Sequence, residues 1–150
     1  MATIRNSKKY RFVEHTADVE YIAYGVSVES CFRNALLGMF DTISYTDKAS
    51  ASRSKEESFV VKDSASSIED LLWYSLQDAL SVADSSGIFA YRVSKLRIGR
   101  DGGSFSISMT IHGKRKSSAA SKLDVKGVSR YNLGIKRAKG GISATVVLDV

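Results

Sequence analysis

Two aspartates near opposite ends of the chain have the chemistry of metal ligands. Asp18 stands just before the alternating segment 19–24, and Asp149 follows the apolar run SATVVL. Hard divalent cations such as Ca²⁺, Mg²⁺ and Mn²⁺ bind carboxylates, carbonyls and water, and they need no contiguous motif. If both segments are neighbouring strands, we expect Asp18, Asp149 and the terminal carboxylate of Val150 to share one cation. Lys126 would then supply a positive charge beside these carboxylates.

The spacing of these acids also allows a simpler interpretation. Asp18 would cap a backbone N–H of a turn, and Asp149 would be an exposed strand end. Other site chemistries find little support. One cysteine, Cys31, and two histidines are too few for a Cys/His zinc site and exclude an intrachain disulfide. The chain has no GxxxxGK[ST] phosphate loop and no GxSxG nucleophile motif.

Two stretches have the apolar spacing of amphipathic helices. Apolar residues recur at i, i+3 and i+4 through residues 28–40, where Ser27 is expected to cap the N-terminus. They recur again through residues 68–80, where Ser66 and Glu69 are expected to form a capping box. The sequence therefore predicts two helices.

Alternating apolar and polar residues predict the strands. Turn pairs with the positive φ of tight hairpins occur in GRDGG and KRAKGG. The fold class predicted is α+β, a single compact domain over residues 1–150 with mostly antiparallel sheet packed against two α-helices. The predicted strands are residues 19–24, a short segment around Phe59, and two hairpins. The first hairpin joins 88–98 to 104–112, and the second joins 123–135 to 142–149. Residues 42–56 are expected to form a loop.

Positive charge is concentrated in the last third of the chain. Of a formal net charge of +6 overall, residues 113–150 contain nine Lys or Arg against two Asp. Clustered cations favour phosphates. An alternative function is therefore a stand-alone RNA-binding module that uses the basic stretch 114–139. No apolar run approaches the length of a membrane span, so we expect a cytoplasmic protein without a membrane partner.

Several linked motifs resemble those of the archease family. EHTADVEYIAYG followed by VESCFRNALLGMFD is similar to its N-terminal signature, and IEDLLWYSLQDAL to its Leu-rich second helix. VKGVSRYNLGI and the closing VVLDV are similar to its C-terminal part. The set of an HTAD start, a Lys-x-Val centre and an Asp-aliphatic end covers most of the chain.

The resemblance implies a non-catalytic accessory protein of an RtcB-type RNA ligase. That ligase joins tRNA halves and other RNAs with terminal phosphates. Family members help it acquire guanylate from GTP and keep it turning over, and they are not ligases themselves. The implied partner is the ligase, with tRNA or other RNA contacted indirectly through it. The implied cofactor is a divalent metal ion, Ca²⁺, Mg²⁺ or Mn²⁺.

Site residues follow from the resemblance by position. Asp18 and Asp149 match the metal-associated acids of the family, Val150 would add its terminal carboxylate, and Lys126 matches the functional lysine. His15 and Thr16 belong to the same motif and are expected to orient the Asp18 loop rather than bind metal.

Two departures from the family pattern concern the site. Tyr131 stands where many relatives have a histidine, so a role that needs imidazole there is not expected in this chain. After His112, the basic GKRKSS replaces an acidic Gly-Glu type stretch. We expect this change to alter metal affinity or partner contacts.

Overall fold

Two antiparallel sheets and two long helices make up the fold. The structure is a computed structural model, and it describes residues 9–13 and 18–150. The elements in chain order are β1 Tyr10–Val13, β2 Val19–Gly25, α1 Val28–Ile43, α2 Thr46–Ser50, β3 Glu57–Ala65, α3 Ile68–Ser85, β4 Ile88–Asp101, β5 Ser104–Arg115, β6 Gly127–Val128, β7 Gly134–Ala138 and β8 Gly141–Asp149.

The helices lie between the sheets. The larger sheet has the order β1-β2-β8-β6, with β7 also paired to β8, and the smaller sheet has the order β3-β5-β4. Both α1 and α3 contact strands of each sheet, and one apolar cluster joins all these layers. The predicted α+β class is confirmed, with antiparallel sheets on two long helices in a single domain. Within the described part of the chain, no helix combines the length and the apolar character needed to cross a bilayer.

Close packing of α1 on β2 is made possible by a glycine. The Tyr21 ring lies so near Gly38 that a Cβ there would approach the ring Cδ2 to 2.9 Å. The Tyr21 hydroxyl donates to the Ala35 carbonyl at 2.5 Å, which satisfies this polar group inside the core. Cys31 on the same helix is fully buried, and burial raises the pKa of its thiol to about 11. Cys31 is therefore a core residue and not a nucleophile.

The N-cap predicted from the sequence is confirmed at α1 and is wrong at α3. Ser27 caps α1 as predicted, and Ser30 completes the reciprocal capping box. At α3 the cap is Ser67 and not Ser66, because Ser67 has the extended backbone of an N-cap and its hydroxyl accepts from the Asp70 amide.

Two other expectations need correction. Residues 42–56, expected to be a loop, contain the end of α1 and the short helix α2. Segment 123–135 is not one strand, since only β6 and the first residues of β7 pair with β8 there. Asn132, with a φ of 58°, interrupts the extended backbone between them.

Candidate functional site

The two predicted metal-site aspartates lie at the same end of the larger sheet. β2 and β8 are antiparallel neighbours in which Glu20 pairs with Val147 and Val19 with Leu148. The recorded pairs end there, and one further step of the same register would place Asp18, which immediately precedes β2, opposite Asp149. Directly opposite residues of such a pair have Cβ atoms about 5 Å apart, which is within reach of one shared cation. Asp18 is half-buried and Asp149 is exposed.

The Lys126 segment borders Asp149 on its other side. Gly127 of β6 pairs with Asp149, and the Lys126 amide donates to the Asp149 carbonyl at 2.8 Å. The Lys126 side chain is exposed and makes no ion pair within the described residues. Val150 is also exposed and follows Asp149 at the same edge. We call Asp18, Lys126, Asp149 and Val150 the rim.

Helix α3 holds the rim segment in place through residues that the sequence analysis did not single out. The Trp73 indole donates to the Val128 carbonyl at 2.8 Å, and the Gln77 side-chain oxygen accepts from the Val128 amide at 3.0 Å. A Cβ on Gly127 would lie 3.7 Å from this Gln77 oxygen and 3.8 Å from Asp149 Oδ2, which are ordinary van der Waals distances. The Gln77 and Asp149 oxygens therefore both lie beside Gly127. No sequence signal identifies Gln77, because it stands on an ordinary polar helix position.

Aromatic and cationic groups continue the surface beyond the rim. The Arg130 guanidinium stacks over the Trp73 ring at 4.1 Å and lies 3.1 Å from Asp70 Oδ1. Tyr131 is 72% exposed. Arg130 is held by Trp73 and Asp70. Lys126 immediately precedes Gly127, the β6 residue paired with Asp149, and is an unpaired cation within the described residues.

The donor atoms of the rim fit a hard cation. They are the carboxylates of Asp18 and Asp149, and a main-chain oxygen of Val150 stands one residue further on. Mg²⁺ in particular is often bound through one or two carboxylates, with water completing the shell. Within residues 9–13 and 18–150, no group of three or more His, Cys, Asp or Glu side chains is arranged so that it could hold a metal ion. His15 and Thr16 lie outside the described residues, so their predicted role stays a prediction.

The basic stretch 114–139 does not present its cations as one free surface. Four of them are engaged within the protein. Lys114 donates to the carbonyls of Ser50 and Ser52, Lys116 pairs with Asp84, Lys122 donates to the Asp41 carbonyl, and Arg130 is held as described above.

A second acid pair lies between the smaller sheet and helix α3. Asp63 of β3 lies beside Asp78 of α3, and its Oδ2 atom is buried with no donor among the described residues. Two ionised carboxylates cannot hydrogen-bond to each other, so Asp63 can bond to Asp78 only when one of the two is protonated. Burial, together with the hydrogen bond and charge of Asp78, raises the pKa of Asp63 from 3.8 to about 7. Protonated Asp63 donates to Asp78, whereas ionised Asp63 repels it.

This acid pair predicts a pH-dependent stability. The folded-state pKa lies above the unfolded one, so the folded protein binds the extra proton and loses stability as pH rises from about 4 to 7. We expect a decrease of roughly 1 to 2 kcal/mol in unfolding free energy, since solvent screens a half-buried carboxyl. Asp63→Asn should remove this loss in urea denaturation at pH 5 and pH 8, while the exposed control Asp101→Asn should keep it. An unchanged pH profile in Asp63→Asn would contradict the assignment.

Comparison with known proteins identifies the class of this two-sheet α+β protein. The solution structure of protein 1598 from Methanobacterium thermoautotrophicum is similar, with a TM-score of 0.80 and 27% identity, covering 96% of this chain and 100% of that one. A crystal structure from Thermotoga maritima, described as an archease and possible chaperone, shares the fold with a TM-score of 0.58 and 20% identity over the full length of both chains.

Sequence comparison gives the same result. Protein archease of Methanosarcina mazei is 32% identical over 145 residues, covering 95% of this chain and 97% of that one. Protein archease of Saccharolobus islandicus is 30% identical over 149 residues, covering 95% and 99%. The model of the Archease protein family (MTH1598/TM1083) matches residues 10–150. The chain belongs to the archease family.

Proposed function

We propose that this protein is a non-catalytic activator of an RtcB-type RNA ligase and that the rim is its working site. The observation that supports the proposal is the β2–β8 register, which pairs Val19 with Leu148 and, continued by one step, would set Asp18 opposite Asp149 at one end of the larger sheet, next to the Lys126 segment. Membership of the archease family supports the choice of partner. The ligase must acquire guanylate from GTP, a reaction in which phosphates and a divalent cation have to be positioned.

Each rim residue has a distinct role in this proposal. Asp18 and Asp149 supply carboxylate oxygens, and Lys126 offers a positive charge to a phosphate approaching the same edge. A bound cation would neutralise the two acids and orient phosphate oxygens. Because Trp73 and Gln77 fix the backbone at Val128, the Lys126 segment keeps its place next to Asp149. Such preorganisation is what makes an electrostatic site effective.

The direct test is guanylylation of the cognate ligase. Purified ligase, GTP and Mn²⁺ are incubated with and without this protein, and the covalent ligase–guanylate is quantified over time. We expect a faster approach to full guanylylation and repeated rounds of ligation in its presence. Equal rates with an active ligase preparation would remove the proposed function.

Metal binding can be tested without the ligase. A cation that binds the folded state alone raises the unfolding midpoint with increasing concentration. We expect Ca²⁺, Mg²⁺ or Mn²⁺ to raise the midpoint of the wild-type protein, and Asp18→Asn and Asp149→Asn to reduce this shift. Asp101→Asn serves as a matched control that should respond like wild type. If all three variants respond like wild type, the rim is not the metal site.

A further inference from the structure

One face of the smaller sheet is left open to solvent by the helices. Along β3, β5 and β4, the side chains that point away from α1 and α3 form four rows across the strands. We call these residues the open face, and they are Ser58, His112 and Arg92; Val60, Thr110 and Ser94; Lys62, Ser108 and Arg97; and Ser64, Ser106 and Gly99. All of them are exposed or half-buried.

The open face is made of hydroxyl groups and cations. The four rows contain no acidic side chain, and six of their residues are serine or threonine. Lys62 and Arg97 flank Ser108 in one row and make no ion pair within the described residues. Neighbouring strands lie about 4.8 Å apart, so the two outer strands that carry these cations are roughly 10 Å apart. A phosphate group lying over Ser108 is within reach of both long side chains.

Two β-bulges aim the arginines at this face. Gly113 and His112 are adjacent on β5, but their partners on β4 are Ala90 and Arg92. Strand β4 therefore contains one extra residue at this point. A second extra residue lies between Ser94 and Arg97, where Lys95 has a φ of 53°. In a regular strand Arg97 would point to the core, three residues after Ser94. The bulge instead buries Leu96 and turns Arg97 outward, which is the re-aiming that bulges provide at functional surfaces.

A histidine organises the hydroxyl groups at one end of the face. His112 Nδ1 lies 2.7 Å from Ser58 Oγ, and Nε2 lies 2.6 Å from Ser94 Oγ. Burial and the nearby Arg92 lower the pKa of His112, so the ring is neutral at pH 7. A neutral ring donates to one serine and accepts from the other. The serine that accepts from the ring keeps its own O–H free to donate outward.

The carboxylate of Glu56 is bound to groups other than Lys62 and Arg97. Glu56 stands at the end of the sheet, where it accepts from the Tyr91 hydroxyl at 2.5 Å and from Arg92 at 2.8 Å. Its charge is therefore used at Arg92. Lys62, Lys95 and Arg97 are left as unpaired cations on and beside the open face within the described residues.

We propose that the open face binds the sugar–phosphate backbone of RNA directly. Cations and hydroxyls are the side chains that contact phosphates. Serine and threonine hydroxyls both donate and accept, as does the ribose 2′-hydroxyl that DNA lacks. Apart from His112 the four rows have no aromatic ring to stack on bases, so the binding is expected to be independent of base sequence. This inference does not depend on the ligase.

The test uses fluorescence anisotropy with a labelled 20-nucleotide single-stranded RNA and the DNA of the same sequence. Lys62→Glu/Arg97→Glu reverses two charges of the open face, and Lys136→Glu/Arg137→Glu makes the same charge change on exposed residues of β7, within the basic stretch. We expect at least a tenfold loss of RNA affinity in the first variant and less than a twofold loss in the second. Neutralisation in Lys62→Gln/Arg97→Gln should reduce the salt slope by about 1.4.

Each other outcome overturns the inference. Equal losses in both charge-reversal variants would show a general charge effect, and a loss confined to the β7 variant would assign binding to the basic stretch. Equal binding of RNA and DNA would remove the role of the 2′-hydroxyl, and no binding by wild type would remove the surface altogether. Circular dichroism verifies that each variant is folded. Guanylylation of the ligase, assayed without RNA, should be unchanged in Lys62→Gln/Arg97→Gln, so this inference and the proposed function fail separately.

Discussion

Asp149→Asn is expected to lower the stimulated guanylylation rate of the ligase at least tenfold. The substitution keeps the shape of the side chain and removes its charge, so the cation that we propose at the rim would lose one carboxylate ligand. Changes even in groups that support metal ligands reduce metal affinity or activity 10- to 100-fold. Asp18→Asn should have an effect of the same size, since the β2–β8 register, continued by one residue, would set Asp18 opposite Asp149.

Two controls make this expectation specific. Asp101→Asn makes the same chemical change at an exposed position on the smaller sheet and should stimulate the ligase like wild type. The double variant Asp18→Asn/Asp149→Asn should lose little more than either single variant, because two residues that bind the same proposed ion would not have additive effects. Full stimulation by both single variants would show that the acids of the rim have no part in activation.

Gly25→Ala is expected to destabilise the fold by about 3 kcal/mol, near the upper end of the usual cost of overpacking. A Cβ at Gly25 would lie 2.7 Å from the Cys31 Cα and still closer to the Cys31 backbone nitrogen. These are main-chain atoms of the first turn of α1, so they cannot move aside as a flexible side chain does. The end of β2 and the start of α1 would have to separate.

The measurement is the urea midpoint followed by circular dichroism. Gly103→Ala is the matched control, because nothing lies within 4 Å of the added methyl group and the position is exposed. Its midpoint should correspond to a change within about 0.5 kcal/mol. Similar midpoints for both alanine variants would show that the close approach of β2 and α1 is not required.

The sequence identified the parts of the fold that depend on local chemistry. The spacing of apolar residues in α1 and α3 reports their buried faces directly, and Ser27 is a cap because its side chain bonds within the first turn. The choice between Ser66 and Ser67 at α3 could not be made from sequence, since two adjacent serines offer the same hydroxyl. Backbone geometry decides in favour of Ser67.

Features that depend on distant partners were not accessible in the same way. Asp18 and Asp149 stand at the same end of the larger sheet because β2 pairs with β8, a pairing that alternation alone does not specify. The bulges of β4 follow from its fit to β5, and no residue of that segment is a conventional bulge signal. The contacts of Trp73 and Gln77 with Val128 likewise join residues more than fifty positions apart. The metal itself and the ligase partner stay predictions.

Strand β3 is an edge strand of the smaller sheet, and among the described residues it pairs with β5 alone. Its outer side therefore offers main-chain donors and acceptors to any extended peptide, including another copy of the same strand. Val60 is 63% exposed and adds an apolar side chain to this edge strand, which favours association with another strand. The charge of Lys62 opposes such self-association. Lysine on an edge strand is a common protection against aggregation. Lys62 therefore also protects the folded protein against edge-to-edge association.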